Sequence, residues 1–384
     1  MGYGDGSIFQ RSGDKGWVAK YCPRPGAKMK YLYGKTEAEV KRKLRAYKQS
    51  ADVVQQQAPA RLSVEEYLLR WLAVFKKPTV KPSTYDRIES VVRGTIVPYI
   101  GDTPLGCLDA TTCQKFINQM LDDGKSYWVI KKAYDALNDC LRHAAKAHDI
   151  DFNPMVVVGA PTKANFEKND TRALTAEEES AFLAELDRKY VSSGNPAYNY
   201  KDAFILILNT GLRLGEVIAL DWSDVDFEAK TISVTKTATM VRRRGVDSKA
   251  TGQQDQVIQP TPKTKSGNRV VPLNAKAVGA LQRLKGFAGN SVSVLNTSTY
   301  HRPLGGALLK QAQLAYERCG ITKAGVHTLR HTFATRLFER GAQLKDVSVL
   351  LGHASIAITA NTYIHVIEER KQNIVDLLVN EKNG

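Results

Sequence analysis

The sequence has no apolar run approaching the roughly 18 residues of a membrane-spanning helix. Its first residues, MGYGDGSIFQR, lack the apolar centre of a secretory signal. A cytoplasmic protein with no membrane partner is therefore expected. Cysteine is scarce and poorly spaced: Cys22, Cys107, Cys113, Cys140 and Cys319 are an odd number and form no C-x-x-C pair. Reduced thiols fit that pattern better than a disulfide framework or a zinc site. No internal repeat or low-complexity tract is evident. Acidic residues are also short, 39 against 55 Lys and Arg, leaving a formal charge of +16. So basic a surface favours a polyanionic partner through counterion release, which puts nucleic acid first among the partner classes. What remains is ordinary globular composition, 43% hydrophobic and 24% charged, which excludes wholesale disorder. A chain of 384 residues is too long for one ordinary core and predicts two or three domains.

Residues 1–50 read as three short strands, SIFQR, WVAKY and MKYLYG, then a helix in KTEAEVKRKLRAYKQ. Thr36 and Glu39 have capping-box spacing, and Val40, Leu44 and Tyr47 form one stripe. The polar stretch SADVVQQQAPAR, 50–61, reads as a linker. Four helical segments follow over 62–155, the first capped by Ser63 with Glu66, and predict an all-α domain with Trp71 and Trp128 in its core. The run NPMVVVGAPTKANFEKND, 153–170, reads as a second connector. Thr175 with Glu178 then caps the first helix of a third domain, 172–384. There, helices are interrupted by a small antiparallel sheet of TISVTKTATMV, QVIQPTPKTK and NRVVPL, with a long loop expected at 242–255. The expected fold class is multidomain α+β.

Four boxes in the last domain collect polar residues. In NTGLRLGEVIALDW, Gly211 reads as a turn between helices, with Arg213 opening the second helix and Glu216 on the same face. PKTKSGNRVVPL reads as a basic strand–turn–strand with Lys263 and Lys265 flanking the turn; a lysine with its pKa lowered by arginines can donate a proton. GVHTLRHTFATRLFERG reads as a helix on which His327 and Arg330 project together while Phe333, Leu337 and Phe338 pack. His327 and His331 have the spacing of a metal pair, but Thr328 stands where a zinc-binding H-E-x-x-H helix has glutamate, and no third ligand follows. LLGHASIAITANTYIHV places His353, Tyr363 and His365 among small and β-branched residues. Each box alone fits a surface ion pair, a solvated lysine or a structural helix. Together they suit phosphodiester chemistry, which needs its nonbridging charge neutralised, a nucleophile, and a proton for the leaving oxygen. The planar forks of Arg213 and Arg330 match phosphate oxygens, and a tyrosine nucleophile requires neither metal nor cofactor.

In this order the boxes TGLRLGE, PKTKSGNRVVPL, HTLRHTFAT and LGHASIAITANTYIH resemble those of the tyrosine recombinases, the phage integrase family. The helical domain is similar in size and position to that family's core-binding domain, and residues 1–50 resemble the arm-binding domain of phage and conjugative-transposon integrases. The resemblance implies a site-specific DNA recombinase that integrates or excises a mobile element through a 3′-phosphotyrosyl intermediate. It implies Tyr363 as nucleophile, Arg213 and Arg330 on the nonbridging oxygens, and Lys263, with Lys265 as competitor, protonating the 5′-oxygen. His327 would assist the tyrosine's proton, His353 would donate to the phosphate, and Glu216 would orient the site from behind. Gly215 stands where many relatives have serine. His365 is given no catalytic role. The implied partners are double-stranded DNA at core and arm sites and a homotetramer on that DNA, with an excisionase and a DNA-bending protein as further candidates. Ile367, Ile374, Leu377 and Leu378 in the tail would dock on a neighbouring subunit or in cis. Two other readings are a type IB topoisomerase-like strand transferase and a catalytically silent DNA-binding regulator.

Overall fold

Three short strands, β1 (Ser7–Gln10), β2 (Trp17–Tyr21) and β3 (Lys30–Gly34), form an antiparallel sheet in that order, followed by helix α1 (Glu37–Gln56). The computed structural model describes residues 7–10, 16–21, 30–56, 62–163, 172–245, 250–260, 267–299 and 301–363. It divides into two compact units, Met1–Glu167 and Lys168–Gly384. Ala19 and Tyr21 on the sheet and Val40 and Leu44 on α1 form a small core of their own. The Thr36 hydroxyl caps α1 by accepting from the Glu39 N–H, as its spacing predicts, but the Glu39 carboxylate accepts from the Lys35 N–H rather than that of Thr36. The stretch read as a linker from residue 50 is helical as far as Gln56. Its polar residues carry no stop signal, so the helix continues past its apolar stripe.

The helical region has a separate core. Helix α2 (Val64–Trp71) runs on through a π-helical turn at Leu72–Lys76, and α3 (Pro82–Val91) through another at Val92–Ile96 into α4 (Val97–Ile100). Helices α5 (Ala110–Asp122) and α6 (Tyr127–Lys146) complete four rods. The first turn of α2 leaves no donor unmet: Val64 N–H goes to the Thr103 carbonyl at 2.8 Å, Glu65 N–H to Gly101 at 3.0 Å, and Glu66 N–H to the Ser63 hydroxyl at 3.1 Å. The Glu66 carboxylate returns a bond to the Ser63 N–H at 2.9 Å, closing the capping box. Trp71 lies in the core, as expected, but Trp128 is 58% exposed and stacks edge-on with Tyr127. It sits in the first turn of α6, ahead of the buried stripe that starts at Ile130. The expected connector also belongs partly to this core. Met155 and Val158 are buried in it, and the Tyr134 hydroxyl bonds to the Val158 carbonyl.

In the second unit α7 (Ala176–Glu185) starts at the predicted Thr175–Glu178 box. Helix α8 (Lys201–Thr210) is apolar nearly all round and buries Ala203, Phe204, Leu206 and Ile207 in the main core, where Phe182 stacks on Tyr316. After α9 (Leu214–Ala219), strands β4 (Val225–Asp226), β5 (Thr231–Val234) and β8 (Arg269–Pro272) form one antiparallel sheet. Strands β6 (Lys236–Arg244) and β7 (Ala250–Pro260) form a separate two-stranded ribbon. The expected single sheet is thus two, and the expected loop at 242–255 is mostly ribbon, with Arg242 opposite Gln254 and Arg244 opposite Ala250. Alternating Thr, Val and Gln give both segments strand character that their charges obscure. Helices α10 (Ala275–Phe287), α11 (Gly305–Arg318), α12 (Val326–Glu339) and α13 (Leu344–Leu351) follow, and 356–363 is helical.

Ser63→Ala should lower stability by about 1 kcal/mol, the usual cost of losing an N-cap. Urea unfolding followed on the helical domain checks this; an unchanged midpoint would mean the carbonyls of Gly101 and Thr103 fix that turn unaided.

Candidate active site

Helix α8 ends in a left-handed residue, Gly211, at φ 66°. Any side chain there would also meet Phe333, whose Cδ1 lies 2.5 Å from an added Cβ, so both conformation and space demand glycine. The turn makes Arg213 the N-cap of α9 and brings Glu216 back onto it. Glu216 accepts from the Arg213 N–H at 2.8 Å and from Arg213 Nη1 at 2.8 Å. Gly215 faces the ribbon, an added Cβ meeting the Ala238 carbonyl oxygen at 2.6 Å, which accounts for glycine at this position.

Glu216 is 1% exposed and is also gripped by Arg269, a residue the sequence did not single out. Arg269 Nη1 and Nη2 donate to Oε1 and Oε2 at 3.1 and 2.8 Å. Burial alone would raise the Glu216 pKa, but the Arg269 hydrogen bonds and the charges of Arg269 and Arg213 outweigh it and hold the carboxyl at about 2. The signal for Arg269 was periodicity. In β8 the pattern alternates, Arg269 and Val271 inward and Val270 outward, which puts a charge on a core-facing position.

The C-terminus of α13 gathers the arginines. Its chain closes through Gly352, at φ 64°, with the His353 N–H bonded to the Ser348 carbonyl. The Val349 carbonyl accepts from the Gly352 N–H, and the three carbonyls after it each take a different guanidinium: Leu350 from Arg269 Nε at 2.8 Å, Leu351 from Arg330 Nη2 at 2.7 Å, and Gly352 from Arg213 Nη2 at 3.3 Å. Arg330, from α12, also donates to the Gly211 carbonyl at 2.6 Å and is 3% exposed. Its burial and the nearby charge of Arg213 weaken its hold on its proton, though a guanidinium stays charged at neutral pH. Among the described residues, three arginines against one carboxylate leave the cluster with an excess of two positive charges, Arg330 being held there by neutral carbonyls.

His353 lies half-buried beside this cluster, with Nδ1 2.8 Å from the Thr359 hydroxyl. Burial, then the charges of Arg330 and Arg213, press its pKa down to about 4. A hydroxyl can donate or accept; the tautomer in which Thr359 donates to Nδ1 carries the ring proton on Nε2 and is the one able to donate to an anion. His327 is pulled downward by desolvation and then by Arg330 and Arg213, an effect that solvent moderates because the residue is exposed. Tyr363 is 2% exposed among Ala334, Phe338, Val347 and Leu351. Its hydroxyl pairs with His331 Nδ1 at 2.8 Å, and burial lifts its pKa to about 12 against the opposing pull of Arg330. His331, considered from sequence only as half of a metal pair, is thus the hydroxyl's partner. Desolvation, then His327 and Arg330, holds it near 4. The structure therefore brings Arg213, Glu216, Arg330 and His353 into one cluster and stores Tyr363 beside it. Lys263 and Lys265 lie outside the described residues, as do His365, Ile367, Ile374, Leu377 and Leu378.

Residues 172–370 match the sequence model described as "Phage integrase family", and residues 63–121 that of "Phage integrase, N-terminal SAM-like domain". The chain is similar to a "Tyrosine recombinase XerC-like" protein of Caldanaerobacter subterraneus subsp. tengcongensis, 29% identical over 377 residues and 91% of each chain. It is also similar to the "Transposase from transposon Tn916" of Enterococcus faecalis, 26% identical over 69% of this chain and 65% of that protein. Among solved structures, the Tn1549 transposon integrase in complex with a circular intermediate DNA shares the fold at a TM-score of 0.64, with 22% identity, covering 82% of this chain and 99% of that one. A lambda integrase dimer bound to a COC′ core site does so at 0.60, with 17% identity over 92% and 93%.

The folded pKa of Glu216, about 2, lies below its ordinary 4.5. Its network therefore adds stability that is fully present above the ordinary value and is lost as pH falls through the folded one. Glu216→Gln should cost about 3–5 kcal/mol at pH 7, because it strands buried Arg269. In urea unfolding the gap to the wild type should narrow between about pH 4 and pH 2; a gap of constant size would remove the assigned ion pair.

Proposed function

The chain belongs to the phage integrase family and is a tyrosine-type site-specific DNA recombinase, and from that premise we propose that Tyr363 is its nucleophile. The phenolic oxygen attacks the scissile phosphorus, the P–O5′ bond breaks, and a 3′-phosphotyrosyl link and a free 5′-hydroxyl result. Arg213 and Arg330 neutralise the nonbridging oxygens, and His353 donates to one of them from Nε2. His327 assists the departing phenolic proton, and Lys263, with Lys265 as competitor, protonates the 5′-oxygen. Glu216 fixes Arg213 through its backbone and side chain. The phosphotyrosyl bond conserves the energy of the broken phosphodiester, so rejoining to another strand needs no nucleotide.

The observation that carries this reading is the uncompensated charge of the arginine cluster with a tyrosine held beside it. A phosphodiester in the act of exchange is the anion that such a cluster suits. Buried, with a pKa near 12, Tyr363 is inert where it stands and must leave its pocket to react. The non-helical stretch between α13 and 356–363 is the natural pivot. DNA supplies the free energy for that movement only by favouring the released arrangement over the stored one.

On this reading residues 1–50 bind arm-type DNA sites, 62–155 grip the core site, and 172–384 carry out cleavage, integrating or excising a mobile element in a bacterial cytoplasm. A homotetramer on two duplexes is the working assembly, with an excisionase and a DNA-bending protein as regulators. A lambda integrase tetramer bound to a Holliday junction shares this fold at a TM-score of 0.59. The separate basic module at residues 1–50 favours this reading over a topoisomerase-like enzyme.

A nicked attachment-site duplex that traps the intermediate should give an SDS-resistant protein–DNA adduct in EDTA. Tyr363→Phe should give none, and an adduct persisting in that variant would remove the nucleophile assignment. Lys263→Ala should slow cleavage on the order of 10²- to 10⁴-fold, the range for losing a general acid. A comparable loss in Lys265→Ala alone would move the role to that lysine.

A further inference from the structure

Arg269 cannot touch DNA where it stands: its side chain is 4% exposed. It nevertheless reaches two of the segments on which the cleavage site depends. From the first position of β8 its fork closes on both oxygens of Glu216, and its Nε donates to the Leu350 carbonyl. Each Glu216 oxygen then accepts twice, Oε1 from Arg269 and Arg213 side chains, Oε2 from Arg269 and the Arg213 N–H. That saturates the carboxylate and leaves it one orientation. On the other side the guanidinium lies against Gly352, where an added Cβ would sit 2.9 Å from Nη1 and 3.1 Å from Cζ. Gly352 directly precedes His353, and its carbonyl accepts from Arg213.

We propose that Arg269 is a positioning residue for strand cleavage: through Glu216 it aims the Arg213 guanidinium, and through Leu350 it holds the turn that presents His353. This rests on the reading of Arg213 and His353 as phosphate-holding groups. A lysine keeps the charge but is a single point, unable to give two parallel bonds to Glu216 and a third to Leu350.

The test is Arg269→Lys in the full chain, with a melting curve to establish folding. Cleavage of the attachment-site DNA should fall about 10- to 100-fold, as for other residues that orient a reactive group from behind. Affinity for that DNA in a mobility-shift assay should stay within about twofold, since a buried residue makes no phosphate contact. A second substrate carries a neutral methylphosphonate at the scissile position, which needs less charge neutralisation. On it the deficit should shrink to a few fold, which a merely loosened fold would not do. Wild-type cleavage by Arg269→Lys, or an equal deficit on both substrates, overturns the proposal. Arg213→Ala is the control: if it cleaves the ordinary phosphate normally, the reading of the site fails along with the proposal, whereas an impaired Arg213→Ala beside an unimpaired Arg269→Lys removes the proposal alone. If Arg269→Lys does not fold, Glu216→Gln, assayed below its own lowered melting midpoint, keeps the question answerable: normal cleavage of the ordinary phosphate by it overturns the proposal, since Arg269 acts on Arg213 through Glu216.

Discussion

A helix of two turns, α13, ends with carbonyls that its own backbone cannot satisfy, and three arginines from three other elements satisfy them. Leu350, Leu351 and Gly352 each accept from one guanidinium, of Arg269, Arg330 and Arg213 in turn. The partial negative charge at a helix C-terminus favours cations there, but a neutral carbonyl does not cancel a charge. It positions the guanidinium while leaving its field available. The single carboxylate in the cluster is shared between Arg213 and Arg269, so Arg330 has no anionic partner of its own among the described residues. Fixing arginines with carbonyls rather than carboxylates is what makes the cluster a receptor for an outside anion instead of a closed salt bridge.

The same economy governs the histidines. Burial opposes an imidazolium at both positions, and nearby cations add repulsion, Arg330 at each and Arg213 beside His353, so His331 and His353 both stay neutral. A neutral ring offers one donor and one acceptor, and each of these rings spends Nδ1 on a hydroxyl of the helical stretch 356–363, Tyr363 for His331 and Thr359 for His353. Two hydrogen bonds and the apolar contacts of Phe338 and Leu351 therefore hold Tyr363, the proposed nucleophile, in place. A phenol so sequestered cannot attack an adventitious phosphate. If Tyr363 is the nucleophile as proposed, an inert resting state limits damage in an enzyme whose cut strands must be rejoined.

Local signals in the sequence were legible where the interaction is local. The capping boxes at Ser63 and Thr175 formed as their spacing demands, and Gly211, Arg213 and Glu216 took the turn-and-helix arrangement that TGLRLGE encodes. What escaped involves partners far apart in the chain. Arg269 meets Glu216 across 53 residues and Leu350 across 81, so neither contact leaves a spacing to read. Only the alternation in NRVVPL hinted that its charge faces inward. His331 meets Tyr363 across 32 residues, and its i,i+4 relation to His327 drew attention to metal binding instead. Trp128 misled for the opposite reason: a large aromatic is expected inside, but its place in the first turn of α6 lies before the buried stripe begins. Strands were expected at TISVTKTATMV and QVIQPTPKTK, but the extension of β6 and β7 through 242–255 was missed because its charged, polar residues lack the apolar alternation by which strands are recognised.

The turn at residues 350–353 shows why the sequence around His353 is so lean. Gly352 must adopt a left-handed conformation to end α13, must lie against the Arg269 guanidinium, and must offer its carbonyl to Arg213. A side chain at that position would be strained by the backbone and would displace Arg269 at the same time. Displacing Arg269 loosens Glu216, and with it Arg213, so one added methyl group would disturb the charge cluster, the helix end and the approach to His353 together. The small residues that follow, Ala354 and Ser355, then separate this fixed turn from the helical stretch carrying Tyr363. Rigidity on one side and little bulk on the other is the arrangement the proposed role of Tyr363 requires: the charge cluster is held still while the segment that bears the tyrosine retains room to move.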